Sequence, residues 1–135
     1  FKIVDLDEAW AFLNVAQGET LSNKLVRAGR AMNAGVYFVT QSSGDVSKES
    51  LKNNIGLKFA FRSTDTNEIK QTLEFFGLDS EDENNQKRLR DLENGQCLMQ
   101  DLYGRVGVVQ IHPVFVELLH AFDTRPPIKS EVDLE

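Results

Sequence analysis

Apolar runs of strand length alternate along this chain with longer stretches whose apolar residues recur at helical spacing. That alternation points to an α/β domain with a largely parallel sheet flanked by helices. Residues 1–6 read as a first strand. Between residues 20 and 34, Leu21, Leu25, Ala28 and Met32 step by four, three and four. That spacing predicts one buried helical face, with Gly35 as a left-handed stop. Residues 36–40 read as a short buried strand, closed by the turn chemistry of Gln41-Ser42-Ser43-Gly44-Asp45.

A short helix is expected over 47–53 and a strand over 55–62, with Phe59 and Phe61 on one face and Lys58, Ala60 and Arg62 on the other. Asp65 and Glu68 have capping-box spacing ahead of a helix carrying Ile69, Leu73 and Phe76 and ending at Gly77. Ser80 and Glu83 repeat that signal for a charged helix to about residue 92, stopped by Gly95. Two further runs, 97–102 and 105–111, flank Tyr103-Gly104 and predict an antiparallel hairpin near residues 96–111, at the sheet edge. Pro113 suits the start of a last helix bearing Val116, Leu119 and Phe122. Residues 124–135 read as a flexible tail, leaving 1–123 as the folded unit.

At 135 residues the chain fits one domain, long enough to bury about two thirds of its unfolded surface. Its 15 Lys and Arg against 21 Asp and Glu give a net charge of −6, the wrong sign for a surface that tracks a phosphate backbone, so direct nucleic-acid binding by this piece is disfavoured. Cys97 is the single cysteine, consistent with a reducing cytoplasm, and is expected to be a small core residue. His112 and His120, eight residues apart, do not form a zinc pattern. No apolar run approaches the roughly 20 residues that span a bilayer. Because the chain opens inside a strand-like run, it is expected to be a piece of a longer protein.

The sharpest local signal is Lys2-Ile3-Val4-Asp5-Leu6-Asp7-Glu8-Ala9-Trp10, an apolar strand ending in two adjacent carboxylates. At the carboxyl edge of a parallel sheet such a pair suits nucleotide hydrolysis: one carboxylate holds a Mg²⁺ shell and the other polarises water. The alternative is an acidic pair that merely opens the next loop. Gln41 lies where the next strand leaves the sheet, eleven residues after Arg30. From there it can reach the same crevice, to contact a phosphate or orient water. Arg27 and Arg30 are placed on the exposed side of their helix, where an arginine is either solvated or can reach into a neighbouring subunit. Trp10 is expected to pack beneath the acidic pair.

Three strings stand in order: Asp7-Glu8-Ala9-Trp10, then Arg27-Ala28-Gly29-Arg30-Ala31-Met32-Asn33-Ala34-Gly35, then Val39-Thr40-Gln41. In that order the chain resembles the type IV secretion and conjugation ATPases of the VirB/TraE-like class, within the FtsK/HerA superfamily of RecA-like hexameric motors. The likeness continues through residues 54–62, 94–101 and Gly104-Arg105-Val106-Gly107, and so covers about residues 1–122. It implies the C-terminal part of a RecA-like P-loop NTPase domain. It further implies that Asp7 is the Walker B aspartate holding Mg²⁺ through water, Glu8 the catalytic glutamate, and Gln41 the sensor glutamine. Arg30 would then be the arginine finger, with Arg27 the less favoured choice, and Arg105 a nucleotide-side basic residue. Lys58 and Arg62 match basic positions near the subunit boundary. ATP and Mg²⁺ are the implied cofactors of the whole protein. The implied partners are the other subunits of a homohexamer and the secretion channel and coupling proteins at the cytoplasmic face of the inner membrane.

Two features depart from that class. The loop Gly-x-x-x-x-Gly-Lys-Ser/Thr is absent: Lys129-Ser130 is the one Lys-Ser/Thr pair, and it lacks the glycines of that motif ahead of it. Without that cradle the isolated piece is expected neither to bind nor to hydrolyse ATP. Asp5 puts an acid where the strand is normally apolar. The alternatives are a DNA-translocating coupling protein or FtsK/HerA-like translocase, in which Asp-Glu is more often followed by Phe, and a protein-interaction module of a secretion complex.

Overall fold

The computed structural model describes residues 1–29, 31–46 and 49–121. Strand β1 (Lys2–Leu6) is followed by helix α1 (Ala9–Leu13), helix α2 (Ala16–Ala28) and strand β2 (Ala34–Phe38). A 3₁₀ turn (Ser43–Val46), helix α3 (Glu49–Lys52) and strand β3 (Lys58–Ala60) come next, then helices α4 (Thr66–Phe76) and α5 (Glu83–Arg90). Strands β4 (Gln96–Gln100) and β5 (Val106–Gln110) precede helix α6 (Val116–Ala121). None of the helices in the described residues is long and apolar enough to cross a membrane.

The strands form two sheets. β1 and β2 pair in parallel from Lys2↔Ala34 to Leu6↔Phe38. β3, β4 and β5 form a separate antiparallel sheet in that order. The mixed α/β class and the β4–β5 hairpin therefore match expectation, but among the described residues the parallel part is confined to two strands. The expected strand over 55–62 is three residues long and joins the hairpin antiparallel, Lys58 opposite Gln100 and Ala60 opposite Leu98. The hairpin closes through a tight loop in which the Gly104 N–H donates to the Asp101 carbonyl and the Asp101 N–H to the Arg105 carbonyl. Gly104 sits at φ 79°, the left-handed step a type I turn plus bulge requires.

Helix α4 behaves as its sequence dictates. The Asp65 carboxylate accepts from the Glu68 N–H at 2.8 Å, and Gly77 closes the helix at φ 74°. Helix α5 starts two residues later than its first signal, because Asp82 rather than Ser80 caps it by accepting from the Asn84 N–H. Helix α2 departs further. It ends at Ala28, with Gly29 as its cap, and Gly35 lies inside β2. Leu21 and Met32 are about half exposed, whereas Gly18 and Ser22 are buried. A Cβ on Gly18 would stand 1.9 Å from the Phe12 carbonyl oxygen, so close packing of α1 on α2 sets which face turns inward. Pro113 precedes α6 by three residues rather than opening it, and α6 is exposed throughout. Phe122 and the expected tail over 124–135 lie outside the described residues, as do Ser47 and Lys48 of the helix expected over 47–53.

One core joins the elements. Ala9 and Leu13 from α1, Val46, Leu51, Ile69, Leu73 and Phe76 from α4, Leu89, Leu92 and Leu98 from β4 form a single buried cluster. Cys97 is fully buried, as its place in a strand predicts. The cluster anchors α1 directly behind the carboxyl end of β1. What precedes α1 in the chain is thereby held in place at the surface.

Candidate functional site

Pairing of β1 with β2 runs past the strand ends. The Val39 N–H donates to the Leu6 carbonyl at 3.0 Å and the Ala9 N–H to the Val39 carbonyl at 2.9 Å. Residues 7–8 and 40–41 therefore leave the sheet side by side, at the carboxyl edge where α/β proteins place ligand-binding residues. Glu8 caps α1 with φ 52° and ψ 47°, a left-handed conformation that costs a non-glycine residue roughly 1–2 kcal/mol. Its own N–H donates to Asp7 Oδ1 at 3.0 Å.

The Glu8 carboxylate is held from two sides. Gln41 Nε2 donates to Oε1 at 3.0 Å and Trp10 Nε1 to Oε2 at 2.6 Å. An ionised carboxylate has about four lone-pair sites, so two donors fix its orientation and leave capacity for a water. Trp10 is nearly half exposed. The expectation of a buried Trp10 is corrected: its indole orients Glu8 instead of packing under it. Asp7 is exposed, and one of its oxygens takes the Glu8 N–H. A hard, accessible carboxylate of this kind suits a Mg²⁺ ion held through water. The chain thus brings Asp7, Glu8 and Gln41 together.

The loop that carries Gln41 is itself pinned. Thr40 Oγ1 donates to Asp45 Oδ2 at 2.5 Å across the turn. The Glu68 side chain on α4 accepts from Ser42 Oγ at 2.8 Å, the Ser43 N–H at 2.7 Å and Ser43 Oγ at 2.9 Å. Thr72 Oγ1 lies 3.2 Å from Ser43 Oγ and 3.4 Å from Glu68 Oε1. Partial burial pushes the Glu68 carboxyl up. The Ser43 N–H and the hydroxyls of Ser42, Ser43 and Thr72 outweigh it and hold the group below the ordinary glutamate range. Sequence reading assigned Glu68 only to its helix cap. Two serines beside Gln41, with hydroxyls needing an acceptor, were the signal for its second role.

The basic candidates are dispersed. Arg27 is exposed in the last turn of α2. Arg30 lies outside the described residues. Arg105 turns to its own hairpin, with Nε and Nη2 at 2.7 and 2.6 Å from Asp101 Oδ2 and its guanidinium 5.4 Å from the Tyr103 ring centre. Lys58 is buried, donates to the Phe75 carbonyl at 2.8 Å and stands 4.6 Å from the Phe75 ring centre. Burial, and then the charge of Lys52, lower its amine pKa. Lys58 therefore closes the carboxyl end of α4, while Arg62 stays exposed.

The fold is a mixed α/β one, with a small parallel sheet and a separate antiparallel sheet. Residues 1–122 match the AAA-like domain family, and the chain belongs to that family of ATPase-type domains. The chain is also 34% identical over 119 residues to the uncharacterized protein YddE of Bacillus subtilis (strain 168). That match covers 88% of this chain and 14% of the length of the relative.

Proposed function

We propose that this chain forms the hydrolytic edge of an ATP-driven motor that energises conjugative DNA transfer or type IV secretion. One observation carries the reading: Gln41 Nε2 donates to Glu8 Oε1 at 3.0 Å, beyond the ends of two parallel strands. In this role Asp7 holds the water shell of Mg²⁺. Glu8 orients the attacking water and takes its proton on a carboxylate oxygen, and Gln41 and Trp10 keep that carboxylate aimed. Bound Mg²⁺–ATP supplies the phosphoryl electrophile and the charge that these groups address. The glycine-rich cradle and lysine that anchor a triphosphate have no counterpart in residues 1–135, so the nucleotide is gripped by other segments of the whole protein. Arg30 is the finger we assign to a neighbouring subunit's nucleotide, with Arg27 second and Arg105 engaged at its hairpin.

Steady-state ATP hydrolysis by the longer protein, with and without Asp7→Asn, tests the reading. Mg²⁺-dependent turnover that Asp7→Asn lowers by roughly 10²–10³-fold supports it. Turnover unchanged by Asp7→Asn contradicts it. Calorimetry on residues 1–135 alone should detect no micromolar ATP binding.

A further inference from the structure

We propose that Glu68 is a positioning residue for hydrolysis, acting through Ser42 and Ser43 to fix the loop from which Gln41 addresses Glu8. The inference rests on the hydrolytic reading of Glu8 and Gln41. Its ground is geometric. Five residues follow Thr40 before the core residue Val46, and most of their polar groups are bound in place: Asp45 to Thr40, and Ser42 and Ser43 to Glu68. Gln41 is the member of that loop whose side chain crosses 33 positions of sequence to reach Glu8.

Glu68 sits on the first turn of α4, next to Ile69, which is fully buried, and five residues before Leu73, also fully buried. The carboxylate is thus mounted on a helix with five buried residues, and it grips the loop at the two residues that follow Gln41. A chain of contacts follows, from α4 through Glu68, Ser42 and Ser43 to Gln41 and then to Glu8. Any displacement of α4 relative to β1 is passed to the hydrolytic carboxylate. α4 also receives Lys58 and Gln100 of the antiparallel sheet at its other end, on the Phe75 and Phe76 carbonyls at 2.8 and 3.0 Å. One helix therefore links the second sheet to the carboxyl edge of the first.

The test is a double-mutant cycle in the longer, ATP-hydrolysing protein, with Glu68→Ala, Gln41→Ala and the pair together. Glu68→Ala is expected to lower kcat roughly 10- to 100-fold, the scale of a displaced catalytic group, with KM for ATP within about 3-fold. In the Gln41→Ala background the same change should cost less than about 2-fold, because its effect runs through Gln41. Glu68→Asp, which keeps the charge on a shorter arm, should recover part of the loss. If Glu68→Ala fails to fold, Ser42→Ala with Ser43→Ala removes the two hydroxyls from the other side and should show the same split and the same loss of effect without Gln41. Losses that multiply with Gln41→Ala, or no loss of kcat, would overturn the proposal. Failure of the underlying reading looks different: Glu8→Gln and Gln41→Ala would themselves leave hydrolysis intact.

Discussion

The two sheets differ in what covers them. No strand residue of β1 or β2 is buried, and Ile3 and Tyr37 are more than half exposed. β4 instead buries Cys97 and Leu98, and Leu98 joins the cluster of Ile69, Leu73, Phe76 and Leu89. The candidate site residues gather at the open sheet, and burial gathers at the other. Asp7, Glu8 and Gln41 stand where solvent and a ligand can reach them, on loops held by a core that they do not themselves enter. The two regions meet at α4, through Glu68 on the Ser42–Ser43 loop, so each substitution is read in both activity and stability.

The sharpest break between the regions comes from Glu8→Gln. Loss of the general base proposed above should slow hydrolysis by the longer protein about 10²–10⁴-fold, while chemical denaturation of residues 1–135 stays unchanged. Leu73→Ala should act first on stability, any loss of hydrolysis following from a shift of α4. Its fully buried side chain makes a loss of about 2–5 kcal/mol the expectation in denaturant unfolding. Asp65→Ala removes the acceptor of the Glu68 N–H and should cost about 1 kcal/mol by the same measurement. Because it also frees the first turn of α4, it sharpens the comparison by showing how far the two regions communicate.

The smallest expected effect is a pH dependence. The Glu68 carboxyl is lowered in the folded chain, so its stabilisation is fully present above the unfolded glutamate value of about 4.3. It is lost as pH falls through the folded value. The stability difference between the wild-type chain and Glu68→Gln, followed by denaturant unfolding, should be constant near neutrality and shrink below about pH 4. A difference that grows on acidification would contradict the hydrogen-bond account.

Local rules were legible in the sequence where a single element satisfied them. Asp65, Gly77 and Gly104 are examples: each needs only its own turn chemistry, and each is where spacing put it. Elements whose form depends on a distant partner were misread. The stripe Leu21, Leu25, Ala28 and Met32 marked a plausible helix face, but the close approach of Gly18 to Phe12 turned a different face inward. Strand β3 carried no mark of direction, since antiparallel pairing with β4 is decided by which elements cover its faces. The site shows the same division. Asp7-Glu8 and Gln41 could be named from spacing at strand ends. The contacts of Trp10 and Glu68 could not: the indole reaches back two residues to Glu8 only because Glu8 turns left-handed, and Glu68 meets Ser42 across 26 positions. Arg105 illustrates the opposite case, a basic residue in a suggestive pair whose guanidinium is engaged by the neighbouring Asp101.

The central claim is that Glu8 and Gln41 work as one hydrolytic unit at the end of the parallel strands. The most direct measurement is single-turnover ATP hydrolysis by the longer protein carrying Glu8→Gln, Gln41→Ala, and both. If the 3.0 Å bond defines that unit, the double variant loses little more than Glu8→Gln alone. Losses that multiply, as for independent sites, would contradict the account.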